Sequence, residues 1–409
     1  MRVIHVGHAC HLVEVDGLRI LTDPWLVDPI FAGCCEHATP LDFGVADLGR
    51  IDVVALTHGH LDHLNAPTLA ALPDKSIPVV HPVITLTEVD ATLRLLGFTN
   101  LHPRKDYEPF EIGTVRVVPT PSLGVLDECA FWIEGRSGSF WNGADAPQPP
   151  GLAEEIRRRL GSPDLAAVSH NSFDQPSLLG LRSLKDADHG PEGGALMARL
   201  LGASHAMPAA SHLRWCGPRG PEITRKVIHR SGADLLALLE RDAPAVGRLA
   251  LSPGDAWSRE GGHEQGVLRG APDPRAAHDY VHAFLGTGAR FSPPGRPSTE
   301  DTFRRDLPAL LAQRPSAARY LAQRVAFEVV GEDPGRFTVD FSAPAGRCVA
   351  GDDGASFALR ILDEDWKDLF ERRVPWQVLL VNDRTQVLRF RPGLPPDGLH
   401  FAYALQAVF

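Results

Sequence analysis

The stretch that decides the fold is Thr57-His58-Gly59-His60-Leu61-Asp62-His63. It follows residues 51–56, a nearly continuous apolar run that predicts a strand buried on both faces. The first two histidines are two residues apart, so an extended backbone points both imidazoles to one side. The aspartate and the last histidine follow where the chain can turn toward a neighbouring point. The sequence therefore predicts that four side chains converge on a patch wide enough for two metal ions.

The chemistry of these four side chains narrows the choice of metal. Neutral imidazoles and a carboxylate suit zinc, iron and manganese. A polar loop of unrelated histidines is the alternative, but it does not explain why His58, His60, Asp62 and His63 lie so close together at the end of a buried strand. We therefore expect a dinuclear metal site at these residues.

Composition places the chain among globular proteins. Its 409 residues suggest roughly two domains. Hydrophobic residues make up 44% and charged residues 22%, so the chain can bury a sizeable core. The formal net charge of −10 at pH 7 argues against a nucleic-acid backbone or an anionic membrane surface as a partner.

Cysteine usage and hydropathy bear on the compartment. Of the six cysteines only Cys34 and Cys35 are close in sequence, and the pattern C-x-x-C does not occur. We expect a reduced, cytoplasmic protein without a disulfide framework. The first residues lack the apolar stretch of a signal peptide, and the sequence contains no run of about 18 apolar residues that would predict a membrane span.

Strands and helices alternate along most of the chain after an antiparallel start. Residues 3–15 and 18–21 predict a hairpin across Asp16-Gly17. The alternation that follows is typical of an α/β protein with two sheets between layers of helices. A segment rich in Gly, Pro and charge, residues 258–298, predicts a boundary. We expect a catalytic domain over residues 1–295 and a smaller α+β module over residues 296–409.

The spacing His58-x-His60-x-Asp62-His63 resembles the signature of the metallo-β-lactamase superfamily. The resemblance implies an αββα sandwich with the metals at one edge. It also implies that His58 and His60 bind the first metal and that Asp62 and His63 bind the second. The opening hairpin with Gly7-His8-Ala9-Cys10 and Asp23-Pro24 resembles the lactonase-like and sialate-hydroxylase-like branches. From that resemblance we expect Asp23 and His8 to support the ligands from behind rather than to bind metal.

Further ligands come from later loops in this superfamily. Trp141-Asn142-Gly143-Ala144-Asp145 resembles the loop that supplies the bridging carboxylate, so Asp145 is our choice and an Asx turn is the alternative. Asp62 and Asp145 are the predicted catalytic carboxylates. His170 follows a predicted strand at the place where a terminal histidine ligand emerges, and His212 is the competing candidate.

One departure from the family pattern concerns the metal itself. The family usually places a histidine after the strand that ends near Pro119, but no histidine occurs between Pro119 and Cys129. Either that metal lacks this ligand, or a neighbouring carboxylate supplies it; we expect Glu128 to do so, with Asp127 as the alternative. A carboxylate in place of an imidazole makes the site harder, which shifts the preference from zinc toward iron.

The predicted function follows from a wider resemblance. Residues 163–168, 206–211 and 251–255 resemble the catalytic part of CMP-sialate hydroxylase-like proteins, and the layout resembles the Rieske-free diiron hydroxylases of antibiotic biosynthesis. This resemblance implies two iron ions, with O2 as co-substrate. It also implies hydroxylation of an unactivated carbon in a small-molecule substrate. We expect that substrate to be a natural product, and a terpenoid is one option. No Rieske cysteine–histidine pattern occurs, so a separate reductase would supply electrons. The alternative is a dinuclear zinc hydrolase: a lactonase, esterase or phosphodiesterase.

Overall fold

The computed structural model describes two compact units. Unit 1 comprises Met1–Phe173, Lys185–Trp215 and Ile228–Ala277, and unit 2 comprises Asp174–Leu184, Cys216–Val227 and His278–Phe409. The residues that the structure describes are 1–83, 89–122, 128–145, 149–170, 179, 190–217, 219–276, 296–313, 321, 323–343, 347–351, 354–382, 384–390, 402, 405 and 409.

The strands of unit 1 are short and follow one another closely. They are β1 (Arg2–Gly7), β2 (Cys10–Val15), β3 (Leu18–Thr22), β4 (Cys35–His37), β5 (Val53–Ala55), β6 (Val79–Pro82), β7 (Leu101–Arg104), β8 (Phe110–Ile112), β9 (Val115–Pro121), β10 (Cys129–Gly135), β11 (Gly138–Asn142), β12 (Leu165–Ser169), β13 (His205–Ala209), β14 (Leu213–Trp215), β15 (Gly247–Arg248), β16 (Ala256–Ser258) and β17 (Gly262–Glu264).

Helices interrupt the strands throughout the chain. The α-helices are α1 (Ala66–Ala71), α2 (Val89–Leu95), α3 (Pro150–Leu160), α4 (Pro191–Leu201), α5 (Gly220–Val227), α6 (Gly232–Asp242), α7 (Thr299–Asp301), α8 (Leu307–Gln313), α9 (Asp363–Phe370) and α10 (Trp376–Val381). Short 3-10 turns occur at Phe31–Gly33 and Val45–Leu48, and a π-helical turn occurs at Thr302–Asp306. No helix in the described part of the chain has the length and apolarity needed to cross a membrane.

Two large sheets form the frame of unit 1. The first has the strand order β17-β16-β1-β2-β3-β5-β6-β7, and the second has the order β15-β13-β12-β11-β10-β9-β8. The predicted hairpin is present, because β2 pairs with β3 across Asp16 and Gly17, which both have positive φ. Positive φ at both central residues is what a type I′ turn requires, and Asp-Gly supplies it at low cost.

Three apolar layers show how the sheets and helices pack in unit 1. One layer joins Leu12 and Val54 of the first sheet to Leu69 of α1. A middle layer lies between the sheets and includes Val13, Phe131 and Phe140. The third layer packs the second sheet against α3, α4 and α6 and includes Trp132, Ile156, Ala198 and Leu235. The order helix, sheet, sheet, helix confirms the predicted αββα sandwich.

Helix α1 begins shortly after residues 57–63, the predicted metal-binding segment that we call the metal loop. The helix is anchored at its start. Asn65 caps it, since its Oδ1 accepts a hydrogen bond from Thr68 N at 3.0 Å, and Pro67 occupies the first turn. The Thr68 hydroxyl in turn accepts hydrogen bonds from Leu26 N at 2.9 Å and Val27 N at 3.1 Å. The residues after the metal loop are therefore tied to the segment that follows β3.

Unit 2 contains a mixed sheet with the order β20-β19-β18-β21-β22, formed by Arg347–Ala350, Gly335–Asp340, Arg324–Val330, Phe357–Leu362 and Gln386–Phe390. The Trp366 ring stacks on Phe303 with centroids 4.5 Å apart, and its Nε1 donates to the Thr302 hydroxyl at 2.7 Å. The predicted boundary at residue 295 lies outside the described residues, so the division into 1–295 and 296–409 stays a prediction.

Candidate metal centre

The metal loop lies where two neighbouring parallel strands end. Strands β3 and β5 pair in register, with Thr22 opposite Ala55, and Asp23 N donates to Ala55 O at 2.9 Å. Strand β3 therefore continues into Asp23, and strand β5 continues through Leu56 into the loop that begins at Thr57. Loops at the carboxyl ends of strands are a common location for functional side chains in α/β folds.

Asp23 holds the start of the metal loop in place through hydrogen bonds to Thr57. Its carboxylate accepts a hydrogen bond from Thr57 N at 2.8 Å and from the Thr57 hydroxyl at 2.9 Å. Its Oδ2 lies 3.2 Å from His63 Nδ1, and all three side chains are fully buried. Asp23 therefore sets the orientation of the His63 ring and leaves its Nε2 directed away from the strand ends.

A first group of ligand-type atoms is formed by His58, His60 and Asp145, whose ligand atoms all lie within 4.8 Å of one another. His58 Nε2 lies 2.8 Å from His60 Nδ1 and 3.7 Å from Asp145 Oδ1. Asp145 follows β11, and its neighbour Ala144 has a positive φ of 47°. The structure thus brings the later loop with Asp145 to the first two histidines of the motif.

A second group is formed by Asp62, His63 and His8. His63 Nε2 lies 3.7 Å from Asp62 Oδ2, and His8 Nε2 lies 3.2 Å from that same oxygen. His63 Nε2 is also 3.4 Å from Asp145 Oδ1, so Asp145 stands between the two groups. The sequence had suggested His8 as a supporting residue, and the structure places its ring directly beside the predicted ligands.

The unpaired atoms of these groups fit a metal pair. Among the described residues, His63 Nε2, Asp62 Oδ1 and Asp145 Oδ1 are buried and have no hydrogen-bond partner. Buried polar atoms normally find a partner, because leaving one unpaired costs about 1–3 kcal/mol. Atoms from imidazoles and carboxylates that face one another without partners are what a site for divalent metal ions requires.

The electrostatics of the groups are dominated by buried opposite charges. Burial opposes a charged His63, but the carboxylates of Asp145, Asp62 and Asp23 raise its pKa well above the usual value. Burial also opposes a charged Asp145, yet the neighbouring His63 and His58 hold its pKa well below the usual value. Burial lowers the pKa of His58, and the His63 charge lowers it further. A neutral His58 and an ionised Asp145 are the forms that bind metal.

Glu128 immediately precedes β10 and, like His170 and His212, belongs to neither group of converging ligand atoms. Cys129 N donates to Thr57 O at 3.1 Å, so the end of the β9–β10 connection lies beside the metal loop. Burial raises the pKa of Glu128 to about 8, and the Asp145 charge adds to the effect. Glu128 Oε1 accepts a hydrogen bond from the Ser122 hydroxyl at 3.1 Å. The alternative, Asp127, lies outside the described residues.

His170 and His212 belong to neither group of converging atoms. His170 Nδ1 lies 3.1 Å from Ala209 O, and its ring is 5.0 Å from that of His212. Burial lowers the pKa of His170 to about 4 and that of His212 to about 3. The ligand atoms of His170 and His212 therefore do not converge with those of the motif residues, whereas those of His8 do. That His170 or His212 completes the metal centre stays a prediction.

A comparison with protein families matches the part of the chain that carries most of the candidate ligands. A family model described as a beta-lactamase superfamily domain matches residues 18–209. The matched segment runs from β3 to the end of β13 and includes the metal loop, Glu128 and Asp145. This match confirms the predicted resemblance to the superfamily over residues 18–209.

Sequence relatives include hydroxylases. A cytidine monophosphate-N-acetylneuraminic acid hydroxylase from Asterias rubens is 31% identical over 160 residues, which are 37% of this chain and 24% of the relative. The 4-amino-L-phenylalanyl-[CmlP-peptidyl-carrier-protein] 3-hydroxylase of Streptomyces venezuelae is 34% identical over 126 residues, which are 29% of this chain and 23% of the relative. The matches with this chain therefore span about a quarter of the length of these curated relatives.

Solved structures with a similar fold have low sequence identity to this chain. An isothiocyanate hydrolase from Delia radicum gut bacteria is 16% identical with a TM-score of 0.47, over 63% of this chain and 98% of that chain. CmlA, a diiron beta-hydroxylase from Streptomyces venezuelae, is 20% identical with a TM-score of 0.45, over 61% of this chain and 52% of that chain.

Proposed function

We propose that this chain is a non-heme diiron monooxygenase that hydroxylates an unactivated carbon of a small-molecule substrate, with O2 as co-substrate and electrons from a separate reductase. The observation that carries the proposal is Glu128, a half-buried carboxylate next to the metal loop, at the place where the superfamily usually has a histidine. The charges of Asp145 and His63 both act on its pKa. With Asp62 and Asp145 it makes a third carboxylate against three motif histidines. Such an oxygen-rich set favours iron over zinc.

The residues that would hold the two metals follow from the two groups. His58 and His60 would hold the first ion, Asp62 and His63 would hold the second, and Asp145 lies near ligand atoms of both. Glu128 would be a further carboxylate ligand. Iron bound in this set would supply the redox chemistry that hydroxylation with O2 requires and that zinc lacks.

The chain's own residues perform three tasks in this reaction. Asp23 and Thr57 hold the His63 ring in one orientation from behind. Ser122 donates to Glu128 and so fixes the direction of that carboxylate. The burial of His58 and His63 keeps bulk water from their rings, which strengthens every charge interaction among the ligands.

The names of several relatives support this proposal, within the segments that align with this chain. The two relatives described above carry hydroxylase names, and one structural neighbour is described as a diiron hydroxylase. A Mycobacterium tuberculosis relative, 34% identical over 100 residues, has a name that describes a Rieske 2Fe-2S iron–sulfur protein. We propose that a separate protein delivers the electrons to this chain. A natural product as the substrate stays a prediction.

A second candidate function is hydrolysis by a dinuclear zinc centre. The observation in its favour is that two imidazoles with one bridging carboxylate suit zinc as well as iron. A lactone, ester or phosphodiester would be the substrate class, and Asp62 and Asp145 would position the attacking water.

The two candidates are separated by metal reconstitution. Metal-free protein is loaded with Fe(II) or Zn(II), then given a reductant, isotope-labelled O2 and a panel of candidate substrates. Incorporation of label by the iron form alone is the expected result. Efficient hydrolysis by the zinc form, with no label incorporated by the iron form, would establish the hydrolase instead.

Glu128 is tested in the same assay. Glu128→Gln should lower label incorporation at least tenfold, because an amide cannot offer iron a negative charge. Glu134→Gln is the control, since Glu134 lies on β10, the strand that Glu128 precedes, but pairs with Arg116. Equal label incorporation by Glu128→Gln and wild type would remove the argument for iron.

A further inference from the structure

We propose that His8 binds the second metal ion through its Nε2, together with Asp62 and His63. The inference rests on the dinuclear centre of the proposed function, but it holds for zinc as well as for iron. Nothing in the motif His58 to His63 requires this residue, because His8 lies in the turn between β1 and β2.

The first argument is the spacing of the ligand atoms. Nitrogen and oxygen ligands lie about 2.0–2.2 Å from a metal ion, so two ligands of one ion are roughly 3.0–3.5 Å apart. His8 Nε2 lies 3.2 Å from Asp62 Oδ2, within that range. The separations from His63 Nε2 to Asp62 Oδ2 and to Asp145 Oδ1, 3.7 Å and 3.4 Å, are of the same size. The ligand atoms of His8, Asp62 and His63 all lie within 4.8 Å of one another, close enough to share one ion.

The second argument is the state of the His8 ring. Only 2% of His8 is exposed, and neither ring nitrogen has a hydrogen-bond partner among the described residues. Asp62 Oδ2 lies 3.2 Å from Nε2, and burying an imidazole with so little compensation is costly. A metal ion that binds Nε2 would remove part of this cost.

The third argument is the way in which the backbone presents the ring. His8 has a φ of 50°, a left-handed conformation that non-glycine residues rarely adopt. The conformation is held from the second sheet, because Ala210 N donates to His8 O at 3.1 Å. The edge of the Trp25 ring, 5.2 Å away between centroids, closes the other side of the imidazole. The ring is thus fixed toward Asp62 before a metal arrives.

The competing histidine lies outside the second group. The family resemblance suggested His170 as the terminal ligand, and its Nδ1 lies 3.1 Å from Ala209 O while its ring lies against His212. Its ligand atoms do not join those of Asp62 and His63 within 4.8 Å, whereas those of His8 do. His8 is therefore the histidine that lies nearest these two predicted ligands as a group.

The experiment uses the full chain and measures metal binding rather than turnover. Metal-free wild type, His8→Ala and His170→Ala are titrated with Zn(II) or Co(II), and bound metal is counted by elemental analysis. Wild type and His170→Ala should bind two equivalents. His8→Ala should bind one tightly and the second at least tenfold more weakly. Added imidazole should restore the second equivalent and the visible absorption of Co(II) in His8→Ala.

His11→Ala is the matched control. His11 lies in the same hairpin, is fully buried, and also has two ring nitrogens without partners in the described part of the chain. It should keep two equivalents, which separates loss of a ligand from general damage to the hairpin. Two tight equivalents in His8→Ala, or loss of one in His170→Ala, would overturn the proposal.

A direct measurement covers the case in which His8→Ala does not fold. A crystal structure of the Zn(II)-loaded wild type gives the distance from His8 Nε2 to the metal. About 2.1 Å is expected for a ligand. A distance beyond about 3 Å overturns the proposal, whichever metal supports catalysis. Failure of the hydroxylase assay alone would leave this result unaffected.

Discussion

His58 and His60 present different nitrogens to the centre. The Thr57 hydroxyl lies 3.0 Å from His58 Nδ1, which leaves His58 Nε2 to face the metal. His60 instead places its Nδ1 2.8 Å from His58 Nε2. Which nitrogen of a histidine binds metal is set by the hydrogen bond that the other one makes. Two histidines separated by one glycine can therefore serve the same ion from different directions.

Loss of either imidazole should remove one metal ion. His58→Ala and His60→Ala are each expected to reduce bound metal to about half and to abolish activity, because each removes a direct ligand. Elemental analysis of the purified variants measures this. His102→Ala serves as the control, since His102 hydrogen-bonds Asn100 at 2.7 Å, outside both ligand groups. Full occupancy in both motif variants would show that the first ion is bound elsewhere.

At the scale of single elements, the ends of β3 and β5 work as a pair. The register that sets Thr22 opposite Ala55 also sets Asp23 beside Thr57, so one carboxylate reaches the backbone, the hydroxyl and the His63 ring. A one-residue slip in this pairing would turn Asp23 to the other face of the sheet. The register of two short strands therefore determines the geometry of the metal loop.

Asp23→Asn should weaken metal binding without removing a ligand. An amide keeps the size of the side chain but can donate toward His63 Nδ1 instead of accepting from it, so the ring loses its orientation. We expect metal affinity to fall about 10–100-fold and stability to fall by about 1–3 kcal/mol. Competition with a coloured chelator measures the affinity, and urea unfolding measures the stability.

Thr57→Val weighs the hydroxyl against the carboxylate. It removes the hydroxyl that donates to Asp23 but keeps the Thr57 N–H and the carboxylate beside His63. Because the same hydroxyl also lies 3.0 Å from His58 Nδ1, metal affinity should fall, but less than in Asp23→Asn. An Asp23→Asn variant with wild-type affinity would assign Asp23 to the fold alone.

The sequence predicted the site where its residues are neighbours in the chain. His58 to His63 are contiguous, so their spacing alone indicated two metals. Asp145 and Glu128 required the family resemblance, because their approach depends on how β10 and β11 pair. The role of His8 could not be read in this way, since its contact with Asp62 joins the β1–β2 turn to a loop far along the chain. The direction of the His170 ring depends on a carbonyl of β13, which no local pattern encodes.

At the scale of the whole molecule, the second unit draws on residues from the middle of the chain. Leu179 is 1% exposed and belongs to unit 2, and its carbonyl accepts a hydrogen bond from Val387 N at 2.8 Å on β22. A boundary at residue 296 would cut this contact. We therefore expect the region 296–409 to depend for its stability on a segment that precedes it by more than a hundred residues.

Leu179→Ala tests this dependence. Truncation of a buried leucine should lower the free energy of unfolding of unit 2 by about 2–5 kcal/mol. Leu388→Ala is the control, because Leu388 is 41% exposed on the same strand as Val387 and its truncation should cost little. Calorimetry of the full chain measures both. Equal unfolding temperatures for the two variants would show that residues 296–409 form a self-sufficient domain.

Unit 1 buries an unusual number of imidazoles beside the metal centre. His5 and His11 have ring centroids 5.3 Å apart, and His5 and His212 have centroids 5.7 Å apart. Burial lowers the pKa of His11 to about 3 and that of His5 well below its usual value, and the neighbouring histidines lower the pKa of His5 further. Burial therefore favours the neutral form of both rings in the folded protein.

Neutral buried histidines make the folded state sensitive to acid. An unfolded histidine binds a proton below about pH 6.5, whereas folded His11 does so only near pH 3. Between these values the unfolded state holds more protons, so stability is full above pH 6.5 and falls as the pH drops toward 3. Each such histidine contributes a slope of about 1.4 kcal/mol per pH unit.

His11→Leu should remove one of these slopes, since leucine has no proton to bind. Urea unfolding of the metal-free wild type and of His11→Leu at pH 7.5, 6.0 and 5.0, on the order of one pH unit apart, measures the difference. A variant that loses stability with the same slope as wild type would show that His11 is already protonated in the folded protein.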